Sequence, residues 1–272
     1  MCTFVQIVKN LQLNLKLKMT HEEIAQILDT AAIEAAPVSQ MAEKEKITLE
    51  DAYKIQQLSI GRRLMRGEHI TGFKLGFTSK AKMEQMGVHD LIWGFLTDQM
   101  EIKSGEEIAL KQWIHPRAEP EIAFRVSQDF PDRKLTLKEL PEYLDKMATA
   151  IEVIDSRYEN FKFSLEDVIA DNCSSTGYAI GKWHDLETDI SNLDIVLKIN
   201  DNTIQQGKTS AILGNPLQPV VELSRLASIA NIAVKKGYVI LAGAATAAEY
   251  LKSEQKIEAE VEHLGNVYFK TK

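Results

Sequence analysis

The segment Arg117-Ala118-Glu119-Pro120-Glu121-Ile122-Ala123-Phe124-Arg125-Val126 constrains this chain more than any other. Ile122, Phe124 and Val126 recur at every second position, the period of a β-strand, so Glu119 and Glu121 project from one face. Taken alone, such a pair belongs to a solvated surface, where glutamate is usually found. A second apolar segment, Ala150-Ile151-Glu152-Val153-Ile154-Asp155, supplies a third carboxylate. Three carboxylates gathered in apolar surroundings form a half-shell of oxygen for a hard divalent ion, Mg2+ or Mn2+, with positions left for water and substrate.

The rest of the composition narrows the class. A chain of 272 residues with 44% hydrophobic residues has an ample core. Its formal charge of -7, without a basic block interleaved with aromatics, argues against a nucleic-acid partner. Cys2 and Cys173 lie far apart and without metal-type spacing, which predicts neither a disulfide framework nor a zinc site and fits a reducing cytoplasm. No apolar run reaches the length of a membrane span, and no signal-type leader opens the chain. Residues 1–18, in which Leu11, Leu13, Leu15 and Leu17 alternate with polar residues ahead of Met19, read as an N-terminal extension, either a short extra strand or a stretch upstream of the functional start.

From Thr20 the pattern is helical. Thr20 and Glu23 form a capping box, Ile24, Ile27, Leu28, Ala31 and Ala35 mark a buried stripe, and Pro37 ends it. Thr48 and Asp51 start a second helix that Gly67 closes, and its Arg62, Arg63 and Arg66 read as a solvated face or subunit contact. Gly72 to Ser79 is a short apolar segment around one lysine, Lys74, which is either an exposed strand lysine or a desolvated amine of lowered pKa able to move protons. Pro141 opens a predicted helix through Leu144, Met147, Ala148 and Ile151, which would return Glu152 toward Glu119 and Glu121. Beyond it, β segments at 178–181, 195–199, 238–243, 256–261 and 267–270 are interrupted by one helix at 219–235. With no repeat and no linker, the organisation is one α+β domain over 19–272, divided into an α/β region at 19–95 and a β-rich core at 96–272.

Lys74-Leu75-Gly76-Phe77-Thr78-Ser79, Glu119-Pro120-Glu121, Glu152 to Arg157, Ala170-Asp171-Asn172, Gly214-Asn215-Pro216-Leu217 and Leu264-Gly265-Asn266-Val267 together resemble the fumarylacetoacetate hydrolase superfamily, over roughly residues 20–270. Within it the chain is similar to the branch of 2-oxopent-4-enoate hydratases and 4-oxalocrotonate decarboxylases. Ser156 to Phe163 and Ala81 to Val88 lean toward the decarboxylases, as does Phe73 where hydratases usually carry an arginine.

The resemblance implies a mixed β-sheet roll with a smaller N-terminal α/β region. It also implies a homo-oligomer, associated with a partner hydratase, and Mg2+ or Mn2+ held by Glu119, Glu121 and Glu152. Lys74 falls on the family's lysine. Phe73, Leu75, Thr78, Ser79, Asp155 and Asn172 fall on substrate-binding segments, as do Ser175 and Thr246. Arg157 and Lys162 are placed to orient the far carboxylate of a small 2-oxo dicarboxylic acid, with Phe73 as an apolar wall beside it. Where decarboxylases commonly carry Thr-Gly-Gly, this chain has Ala242-Gly243-Ala244, so Thr246 is the candidate hydroxyl, and Cys173 stands where alanine is usual.

The expected reaction is decarboxylation of 4-oxalocrotonate, with hydration of 2-hydroxypenta-2,4-dienoate as the alternative. Hydrolysis of a C–C bond would need a His-Glu dyad, which the spacing of His89, His115, His184 and His263 does not offer. A non-catalytic partner subunit would have no need of the intact glutamate and lysine set.

Overall fold

The computed structural model describes residues 18–79, 83–84, 88 and 90–272. The alternating leucines at 11–17 and most of the 81–88 segment lie outside them. Both predicted N-terminal helices are present with their capping boxes. Thr20 caps α1 (His21–Glu34) and Thr48 caps α3 (Leu49–Met65), with Glu23 and Asp51 closing the reciprocal bonds. A single-turn helix, α2 (Ala42–Glu45), lies between them. Arg62 and Arg66 are partly solvated, but they are not idle. They reach across to the buried Asp29 of α1 at 2.9 and 2.7 Å, because an aspartate in an apolar helix interface needs cationic donors.

The strands follow as β1 (Ile70–Gly76), β2 (Ile92–Thr97), β3 (Glu101–Ile102), β4 (Glu107–Ile108) and β5 (Arg117–Val126). Here the sequence reading needs a correction. Pro141 does sit in the first turn of a helix, but that helix, α4 (Leu140–Tyr143), has only four residues, and the chain from Leu144 to Ile154 is a strand, β6. The spacing of Leu144, Met147, Ala148 and Ile151 fits a helix. However, Ala148 to Val153 is buried on both faces, and the segment carries Thr149, Ile151, Val153 and Ile154, all β-branched, as a central strand does.

After β6 come α5 (Leu165–Ala170), β7 (Ser175–Ile180), β8 (Asp194–Ile199), β9 (Asn202–Lys208), α6 (Leu217–Ala230), β10 (Val239–Leu241), β11 (Glu249–Tyr250), β12 (Lys256–Val261) and β13 (Gly265–Thr271). The described residues form an eight-stranded mixed sheet, ordered β2-β1-β10-β5-β6-β7-β3 with β11 added on β5, and a five-stranded sheet, β4-β13-β12-β8-β9. One face of the large sheet carries Phe73, Ile122, Phe124 and Ile240 onto Val220 and Leu223 of α6. At its other end Ile151 and Val153 meet Ile257, Val267 and Phe269 of the smaller sheet. The opposite face carries the polar cluster. No described helix is long and apolar enough to cross a membrane.

Candidate active site

Antiparallel pairing sets Glu119 directly opposite Glu152, with Glu121 opposite Ala150. Residues paired in this way point to the same side, so β5 and β6 raise three carboxylates from one face. Their oxygens lie within 4.8 Å of one another, and the three residues are 8%, 0% and 0% exposed for Glu119, Glu121 and Glu152. Glu121 Oε2 accepts the Gly243 N–H at 2.7 Å. Glu121 Oε1 and Glu152 Oε2 are buried without a hydrogen-bond donor among the described residues. Burial, then the neighbouring carboxylates, push the Glu121 carboxyl well above its ordinary range, and burial also raises Glu152 against the pull of Lys74. Orphaned carboxylate oxygens converging in a dry site fit a hard divalent cation, which would satisfy them and hold the acids ionised.

Lys74 comes from β1 by the same alternation. The register Lys74↔Leu241↔Ala123 puts it on the glutamate face, and its Nζ lies 3.0 Å from Glu152 Oε1 and donates to the Cys173 carbonyl at 3.1 Å. The expectation of a near-neutral amine is therefore corrected. Burial alone would lower its pKa, but the Glu152 charge and then those of Glu119 and Glu121 hold it above the usual lysine value. Cys173 is a small buried residue whose thiol donates to the Trp93 carbonyl, and burial pushes that thiol up to about 12.

The structure divides the other candidates. Phe73 and Leu75 are displaced from the site, because strand alternation turns both to the face away from Lys74. There Phe73 packs on Trp93, Phe95 and Tyr238 in the α6 core. Thr78 does reach the cluster. A Cβ on Gly243, whose φ is +102°, would fall 2.0 Å from Thr78 Oγ1, so the hydroxyl lies against the peptide that binds Glu121. Ser79 follows it at the entrance to the 80–89 segment.

Asp155 is buried with both oxygens engaged, accepting the N–H groups of Ile114 and His115 at 2.8 Å, and so it fixes the entry to β5. Asn172 bonds both backbone groups of Phe95, and Ser175 faces Met100. Arg157 is likewise spoken for: it donates to the Asp171 side chain and carbonyl and to Thr176. These buried polar groups brace the walls, since each is consumed by a neighbour. Lys162 is exposed, and the Thr246 hydroxyl donates to the Ala247 carbonyl.

Two residues beside the cluster were missed. Gly243 donates to Glu121 from the loop after β10, a tertiary contact with no local signal. Arg117 stands two residues before Glu119 on the same strand face, and the period-two argument could have found it.

With the geometry established, comparisons place the chain among known proteins. Residues 77–270 match the family described as fumarylacetoacetate (FAA) hydrolase C-terminal. A 4-oxalocrotonate decarboxylase of Pseudomonas sp is 44% identical over 253 residues, covering 93% of this chain and 98% of the relative. A 2-hydroxyhexa-2,4-dienoate hydratase of Comamonas testosteroni is 35% identical, covering 73% and 76%. The solved structure of 4-oxalocrotonate decarboxylase from Pseudomonas putida G7, complexed with magnesium and adipate, superposes with a TM-score of 0.89 at 32% identity, over 93% of this chain and 99% of that one. The chain belongs to the fumarylacetoacetate hydrolase family.

Proposed function

We infer that the protein is a metal-dependent lyase that decarboxylates 4-oxalocrotonate (2-oxohex-3-enedioate) to 2-hydroxypenta-2,4-dienoate. One observation carries this reading: the converging Glu119, Glu121, Glu152 and Lys74 occur in a chain 44% identical to a 4-oxalocrotonate decarboxylase along 98% of that relative. Glu119, Glu121 and Glu152 would hold Mg2+ or Mn2+. When bound, the cation supplies Lewis-acid stabilisation of negative charge gathering at the 2-oxo oxygen of a chelated substrate.

The chain's own residues do the rest. Loss of CO2 breaks the C5–C6 bond, and its electron pair moves through the 3-ene to the C2 oxygen, so the product needs one proton. Lys74, charged and 3.0 Å from Glu152, holds a proton at Nζ on the glutamate face. Leu241, Ala123 and Ala150 line that face with apolar surface, which keeps water from the developing charge. On this reading the protein works as one catalytic domain over 19–272, in the cytoplasm, as a homo-oligomer beside the hydratase that consumes its product.

Parallel assays test the assignment. The Mg2+-loaded enzyme should release CO2 from 4-oxalocrotonate and leave 2-hydroxypenta-2,4-dienoate unhydrated. Rapid hydration of the dienoate without CO2 from the dicarboxylate would transfer the assignment to the hydratase activity of relatives such as the Comamonas protein.

A further inference from the structure

We propose that Arg117 receives the far carboxylate of the substrate and is the residue that selects a dicarboxylic over a monocarboxylic 2-oxo acid. The proposal deepens the decarboxylase reading and rests on it. Arg117 lies on β5 two residues from Glu119, hence on the same face and roughly 7 Å along the strand. In a six-carbon 2-oxo dicarboxylate held at C1 and C2, the far carboxyl carbon lies four bonds beyond C2, about 5 Å away when extended. One hydrogen bond spans the remainder. Exposure rises along this face from Glu121 at 0% through Glu119 at 8% to the half-buried Arg117, so the cluster opens toward the arginine.

The guanidinium is held ready. Its carbon lies 3.9 Å from the Phe161 ring centre and 4.0 Å from that of Tyr250, whose hydroxyl accepts from Nη2. Tyr250 is set there by its register opposite Arg117. Phe161 is brought by a loop in which Asn160 and Phe161 take φ of +58° and +57°, a left-handed conformation costly for a bulky residue.

With both rings packed against the guanidinium and Nη2 donating to the Tyr250 hydroxyl, the N–H donors that remain suit a carboxylate. Arg117 Nε is buried and has no hydrogen-bond partner, and no carboxylate among the described residues forms an ion pair with Arg117. A buried donor of a charged group left unpaired in the free protein calls for an acceptor from the ligand. Arg157, its donors already consumed, and the exposed Lys162 lack this combination.

The test uses two saturated analogues of equal length that cannot lose CO2, 2-oxoadipate and 2-oxohexanoate. Their affinities for the Mg2+-loaded protein are measured by calorimetry in wild type, Arg117→Met and Arg117→Lys. Arg117→Met should weaken 2-oxoadipate by about tenfold to a hundredfold while leaving 2-oxohexanoate and Mg2+ binding within about twofold. Arg117→Lys, which keeps the charge and is the milder change for folding, should weaken 2-oxoadipate several-fold because the planar fork is lost. A variant that keeps the wild-type preference, or loses both analogues equally, would overturn the role of Arg117 and leave the decarboxylase reading standing. A wild type that fails to prefer 2-oxoadipate would instead overturn the dicarboxylate reading and this proposal with it.

Discussion

Lys74 and Glu152 form a buried pair in which the carboxylate keeps the amine charged and the amine offsets part of the rise that burial gives the carboxyl. Replacing Glu152 by Gln would take away one carboxylate of the proposed cation site and the partner of Lys74. It should weaken Mg2+ binding by calorimetry more than about a hundredfold, beyond the cost of losing an outer-sphere partner. Lys74→Ala should instead retain Mg2+ and lose about 10²- to 10⁴-fold in turnover, and Lys74→Arg should fail similarly because it cannot release its proton. Near-normal turnover in Lys74→Ala would remove the lysine from the mechanism. These four residues were legible because strand periodicity orders Glu119 and Glu121, and because a lysine between glycines in an apolar segment is conspicuous. The fates of Phe73 and Arg157 were not. Which face of β1 meets α6, and which carboxylate claims a guanidinium, are decided by parts of the chain far away in sequence.

Among the elements, β6 shows how pattern can mislead. Its apolar residues satisfy helical and strand spacing together, and the choice falls to β5 and β7, which supply backbone partners on both sides. The consequence is favourable for the site, since direct pairing brings Glu152 opposite Glu119 without an intervening helix. The loop after β10 is equally specific. Gly243→Ala would place a Cβ 2.0 Å from Thr78 Oγ1 at a φ of +102°. It should destabilise the fold by at least about 2 kcal/mol and disturb the N–H that binds Glu121. Thermal unfolding together with Mg2+ affinity measures both effects. An unchanged melting temperature and affinity would show that this contact does not shape the site.

For the molecule as a whole, the α1–α3 pair is clasped to itself by Asp29, Arg62 and Arg66. Burial would raise the Asp29 carboxyl, but hydrogen bonds from Arg66 and Arg62 and then their charge hold it below the usual aspartate range. The folded pKa is therefore lower than the unfolded one. The clasp contributes its stability above the unfolded value of about 3.9 and loses it as pH falls through the folded value. Asp29→Asn should lower Tm at neutral pH by about 2–4 °C, a modest shift because both arginines are partly solvated, and the gap should close in acid. A constant gap from pH 7 to pH 2 would contradict the assignment. The overall α+β class, both capped helices and most C-terminal strands could be read from the sequence. The two-sheet arrangement could not, since strand order such as β1-β10-β5 joins segments distant in the chain and leaves no local mark.

Metal dependence is decided by following CO2 and 2-hydroxypenta-2,4-dienoate together when 4-oxalocrotonate is given to the metal-stripped protein and then to the same protein after Mg2+ is added. The site described here predicts that both products appear one to one and only after the metal is restored. Equal CO2 release by the stripped protein, or consumption of substrate without CO2, would contradict it.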